Sequence, residues 1–98
     1  MQEVEFSDII VSYTDKNDNT NEVSFVGKWI VEQLRNHNSI YSVALTDDDK
    51  LFTICENDRT GISRTNRYDS FDEMREDNFP PELLAQVAEK VGEEYKEE

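Results

Sequence analysis

The sequence predicts one small α+β domain. Its expected form is an antiparallel sheet of four to five strands, a hairpin and then a meander, with one helix after the first hairpin and a C-terminal amphipathic helix packed on the sheet. Three observations lead there. Short clusters of β-branched and aromatic residues recur, each bounded by Asp, Asn, Thr or Gly. Leu83, Leu84, Val87, Ala88 and Val91 form one stripe at i, i+3, i+4 spacing. The length of 98 residues suits a single hydrophobic core, and no repeat or linker divides it.

Residues 4–13 read as the first strand. Ile9-Ile10-Val11 interrupts its alternation, and burial on both faces or a bulge would account for that run. Residues 14–21 (TDKNDNTN) form a loop, because Asp, Asn and Thr side chains bond nearby backbone. Residues 22–26 return as a short strand with Val23 and Phe25 on one side. Gly27 marks a junction. Residues 28–35 then read as a helix, with Trp29, Ile30 and Leu34 on adjacent faces and Glu32, Gln33 and Arg35 opposite. One continuous strand over residues 23–34 is the alternative.

Residues 39–46 (SIYSVALT) are a strong strand, with Ile40, Ser42 and Ala44 on one face and Tyr41, Val43 and Leu45 on the other. Asp47-Asp48-Asp49-Lys50 is the turn and residues 51–56 the return strand; residues 62–68 add the third strand of the meander. Ser70-Phe71-Asp72-Glu73 has the spacing of a capping box and starts a short helix through Arg75. Pro80-Pro81 breaks it. Pro81 suits the first turn of the last helix, where a missing N–H is harmless, and that helix runs to about residue 94. Residues 93–98 form an acidic tail expected to fray.

Asp and Glu number 23 against 10 Lys and Arg, a formal charge of -13. Direct nucleic-acid binding is excluded, since phosphate recognition needs a basic surface. No apolar run approaches the roughly 18 residues of a membrane-spanning helix. One Cys and one His cannot make an internal disulfide or a Cys/His zinc site. The first residues carry Glu3 and Glu5 rather than the basic start of a secretory signal, so a cytoplasmic location with Cys55 reduced is expected. The charge is uneven: residues 69–98 hold -8 of it.

Ser24-Phe25-Val26-Gly27-Lys28-Trp29 is similar to the F-x-G-[RK] element of a prokaryotic family of uncharacterised proteins named for a C-terminal E-x-L-D-I motif. Tyr41-Ser42-Val43-Ala44-Leu45-Thr46, a charged turn and Leu51-Phe52-Thr53 resemble that family's Y-x-V-y-x-T…G-k-f-x-v hairpin. Residues 68–74 followed by Phe79-Pro80-Pro81-Glu82-Leu83 resemble its closing segment. The resemblance spans about residues 22–92. It departs at Asp49-Lys50, where Gly is expected, and at the chain's end, which lacks L-D-I. It implies an α+β fold and brings no catalytic residues.

Each candidate for chemistry has a plainer account. Asp15-x-Asn17-x-Asn19 matches the first ligand positions of a calcium loop, but Thr20 and Val26 stand where Gly and the bidentate Glu belong, so a polar hairpin loop is expected. Asp47-Asp48-Asp49 reads as a solvated turn whose side chains diverge. Cys55 reads as a small strand residue and His37 as a helix-end cation. Trp29 with Phe25 is either core or a partner anchor, and core is favoured. No nucleophile elbow or phosphate loop is present, and neither enzyme activity nor a cofactor or metal is expected. The expected function is a protein-binding or regulatory module for a partner with a basic surface. Its acidic face would comprise Asp69, Asp72, Glu73, Glu76, Asp77, Glu82, Glu89 and Glu93. A nucleic-acid mimic or inhibitor of the nuclease-immunity, anti-restriction or anti-CRISPR kind is the alternative, and acidity as a solubility or high-salt adaptation is the third reading.

Overall fold

A computed structural model describes residues 6–92. The chain is α+β. Five strands, β1 (Ser7–Thr14), β2 (Thr20–Asn36), β3 (Ser39–Thr46), β4 (Leu51–Asn57) and β5 (Ser63–Tyr68), make one antiparallel meander in chain order. Two helices follow, α1 (Phe71–Arg75) and α2 (Pro81–Val91).

The helix expected over residues 28–35 is not formed. Those residues are the second half of β2, a single strand of 17 residues. Its first half pairs with β1, from Thr14↔Thr20 to Ser7↔Gly27, and its second half with β3, from Gly27↔Thr46 to Asn36↔Ser39. Two irregularities explain the misleading pattern. Trp29 pairs with Ala44 and Val31 with Val43, so Ile30 is an extra residue; between Val31↔Val43 and Leu34↔Tyr41 there is another. Each bulge moves the apolar positions to the opposite face. The resulting spacing of Trp29, Ile30 and Leu34 imitates helical periodicity. Gln33 lies at the second bulge with φ 51°, and its N–H donates to Ser42 Oγ at 3.0 Å. His37 is therefore not at a helix end; it sits in the two-residue turn between β2 and β3 with φ 56°.

The bulged, bent β2 curls the sheet. Thr14 forms an isolated parallel bridge with Ile62, and the Thr65 hydroxyl donates to Tyr13 Oη at 3.4 Å, so β1 comes round towards β5. Inside the curl lie Ile9, Val11, Ala44 and Phe52, with Val23, Phe25, Trp29 and Ile54 packed on them. The Arg67 guanidinium covers the Phe25 and Phe52 rings at 5.5 and 5.9 Å. Trp29 belongs to this inner cluster, as half-buried core. Ile9-Ile10-Val11 needs neither a bulge nor two buried faces: its register is continuous, and Ile10 points outward, 64% exposed.

The outer face of β2–β5 carries the helices. Val31, Val43, Leu51 and Tyr68 meet Phe71 and Met74 of α1 and Leu83, Leu84, Val87 and Ala88 of α2. The α2 stripe thus packs as its spacing requires. Ser70 caps α1 by accepting from the Glu73 N–H at 3.3 Å, and Glu73 Oε1 accepts from the Asp69 N–H at 3.0 Å. Gly92, with φ 76°, caps α2 in the left-handed region, where a Cβ would be strained. The frayed tail expected over residues 93–98, and Val4 of the expected first strand, lie outside the described residues.

Candidate functional site

The strand order decides where the carboxylates meet. β3 and β4 are joined by the turn Asp47-Asp48-Asp49-Lys50, and β5 runs alongside β4 so that Leu51 is opposite Tyr68. The chain leaving β5 therefore passes this turn before entering α1. Lys50 Nζ reaches Asp69 Oδ1 at 2.8 Å. Its ammonium is held above its usual range first by that hydrogen bond and by the Asp69 charge, with Asp48 and Glu73 adding to it. One lysine thus lies among three carboxylates from two segments.

The turn itself is built around its acids. Thr46 Oγ1 donates to Asp48 Oδ1 and accepts from the Lys50 N–H at 2.9 Å. The Thr46 hydroxyl holds the Asp48 carboxyl below the usual carboxylate range. Asp49 occupies the left-handed region with φ 63°. Beside it a groove of about 410 Å³ has Leu45, Leu51, Phe71 and Val91 as its apolar lining and Asp49, Asp69 and Lys90 at its polar rim.

The eight acids expected to form one face do not all belong together. Asp69 and Glu73 are in the cluster just described. Asp72 is beside them on α1 and pairs with Arg75 at 3.0 Å, its carboxylate 70% exposed. Glu76 is exposed at the α1 C-cap. Asp77 is exposed, and its carboxylate accepts from the Tyr68 hydroxyl at 2.5 Å. Glu82 and Glu89 are exposed on α2, seven residues apart on its outward side. Glu93 lies outside the described residues. The acidic end is thus narrower on the helices than expected and gains Asp47, Asp48 and Asp49. The triple-Asp run marked those three residues in the sequence, but its proximity to α1 depends on β5 lying beside β4.

A second concavity opens on the outer face, where the α1–α2 connection crosses the sheet. Tyr41, Cys55 and Arg64 are successive partners across β3, β4 and β5, with Thr53 opposite Asn66 in the next row. With Tyr68 they floor a cleft of about 280 Å³ whose wall is Asp77, Asn78 and Phe79. Phe79 meets Tyr41 and Tyr68 edge-on at 6.0 and 5.9 Å. Burial, then the Asp77 carboxylate, pushes the Tyr68 phenol above its ordinary range; burial, then the neighbouring Cys55, does the same to Tyr41. Cys55 is half-buried at this cleft, opposite a tyrosine, rather than in the closed core.

The polar β1–β2 loop uses its acid on itself. Asp15 accepts from the N–H groups of Asn17 and Asn19 at 2.9 and 3.1 Å and from Asn21 Nδ2 at 2.8 Å. The Asn19 N–H leads in holding its carboxyl below the usual range. Among the described residues no group of three or more His, Cys, Asp or Glu is placed to hold a metal ion, and no helix is long and apolar enough to cross a membrane. No family model, curated protein or solved structure matches the chain.

Proposed function

We propose that the protein is a non-enzymatic protein-binding module that docks its acidic end on a partner with a basic surface. The observation that carries this reading is the Lys50–Asp69 ion pair at 2.8 Å, which ties the β3–β4 turn to the start of α1 and so sets the exposed Asp47, Asp48 and Asp49 beside Asp69, Asp72 and Glu73. Surplus negative charge concentrated at one end steers a cationic surface and orients it before contact. The adjacent groove has an apolar lining and two carboxylates, Asp49 and Asp69, against one ammonium, Lys90, which suits a partner side chain with an apolar stem and a basic head. That combination favours recognition over acidity that serves solubility alone, which needs no such grouping.

Affinity capture from the native host with the wild-type chain and with D47N/D49N/D72N, side by side, tests the reading. All three carboxylates are exposed, and Asn preserves their shape. The same protein retained by the wild type and lost by the variant supports it; equal retention contradicts it. Adding duplex DNA separates this reading from nucleic-acid mimicry. DNA displaces the partner of a mimic, because both occupy one site, and leaves another kind of partner bound.

A further inference from the structure

The cleft under the α1–α2 connection is remote in composition from the acidic end. Its floor is the row Tyr41–Cys55–Arg64 with Asn66 and Tyr68, and its wall carries Asn78 and Phe79. Arg64 enters no ion pair among the described residues, although acids outnumber bases by 23 to 10 in the chain. Arg64 is exposed, lines this cleft, and lies within electrostatic reach of both of its phenols, Tyr41 and Tyr68. Asn66 and Asn78 enter no side-chain hydrogen bond with another described residue, leaving amide donors and acceptors at the same opening. Thr53 is 2% exposed at the base, and its hydroxyl is engaged by the Asn66 carbonyl at 3.5 Å.

We infer that this cleft binds a small planar monocarboxylate. The carboxylate would meet the Arg64 guanidinium, whose paired N–H groups match its two oxygens, and the Asn66 and Asn78 amides. The planar body would lie against Tyr41 and Phe79, as aromatic walls favour. A cavity of about 280 Å³ admits a ligand of single-ring size. Charge decides between anions. Asp77 stands at the same cleft as the acceptor of the Tyr68 hydroxyl, and a second negative charge on the ligand would oppose it. A singly charged carboxylate is therefore favoured over phosphate.

Sodium benzoate is the probe, titrated into the ¹⁵N-labelled full-length chain at constant ionic strength, with acetate and inorganic phosphate in parallel. The expected result is saturable shifts of the Asn66 and Asn78 side-chain amides with benzoate, and at least about tenfold weaker responses with the other two anions. R64Q, with an unchanged amide spectrum elsewhere, should weaken benzoate about tenfold, the scale of a lost charge-assisted pair. R59Q, which removes an exposed turn arginine outside the cleft, should leave it unchanged. Absence of saturable shifts, equal binding of acetate or phosphate, or equal binding by R64Q would each overturn the inference. If R64Q proves unfolded, F79A supplies the same comparison on the wall: loss of benzoate discrimination over acetate is expected, and retained discrimination contradicts the site.

Discussion

Gly27 is the pivot between the two halves of β2, and replacing it with Ala tests how the sheet is bent. A Cβ there would stand 2.7 Å from the Leu45 carbonyl oxygen and 2.9 Å from the Phe25 ring. The ring can turn; the oxygen belongs to the neighbouring strand and cannot yield without moving β3. Gly27 is not among the residues with positive φ, so the alanine backbone is not itself strained. Two effects oppose each other. Alanine lowers the entropy of the unfolded chain and so stabilises by about 0.4–1 kcal/mol. Overpacking against an unyielding neighbour costs about 1–3 kcal/mol. The steric effect wins because the contact is backbone, and a net loss of about 1–2 kcal/mol is expected. At about 4–8 °C per kcal/mol for a domain of this size, G27A should melt roughly 5–15 °C lower. Thermal unfolding followed by far-UV circular dichroism reads this, with S24A on the exposed face as control. A G27A protein as stable as the wild type, or more so, would refute the close approach of β2 to β3 at this point.

Other consequences follow from local geometry. Asp49 holds φ 63°, so D49G should raise stability by about 0.5–1 kcal/mol and D49A should lower it by a similar amount; urea unfolding midpoints distinguish the two. Tyr41 and Tyr68 have raised native pKa values relative to a phenol near 10, so their contribution is intact below pH 10 and is lost as pH rises through the native values. Absorbance at 295 nm should therefore show phenol ionisation extending above pH 10, with a late step that Y68F abolishes. Asp15 has a lowered native pKa, which makes its stabilisation present above the unfolded value of 3.8 and lost as pH falls. D15N should accordingly be less stable than wild type near pH 6, with the gap closing towards pH 3; a gap that does not depend on pH would contradict the loop hydrogen bonds.

Much of the fold was legible because its signals were local. β3 and β4 are runs of β-branched, aromatic and other apolar residues on either side of a charged turn, and the α2 stripe and the Ser70–Glu73 spacing each depend on residues three or four apart. The second half of β2 was not legible for the opposite reason. Its bulges at Ile30 and near Gln33 displace the period of two, and what requires them is the pairing with β3, a tertiary fact. Ile10 follows the same logic: an apolar residue on the outward side of an edge strand carries no mark that separates it from its buried neighbours. For the acidic end, composition identified Asp69, Asp72 and Glu73 but not their junction with Asp47–Asp49, which the β4–β5 pairing creates. Asp77 is an exposed acid as its sequence context suggests, but only the fold brings its carboxylate to the Tyr68 hydroxyl. The cleft at Arg64 had no sequence signature, because Tyr41, Cys55 and Arg64 become neighbours through register alone.

An acidic end that recruits a basic partner, as proposed, associates under electrostatic steering. The most direct test is the association rate of the captured partner with the wild-type chain and with D47N/D49N/D72N, measured by stopped flow across ionic strengths. Steered association is accelerated by about 10–10³-fold at low salt and falls steeply as salt rises. The expected result is a steep salt dependence for the wild type, a clearly shallower one for the variant, and a variant rate at low salt slower by about tenfold, with dissociation changed less. Identical rates and identical salt slopes for the two proteins would contradict the account.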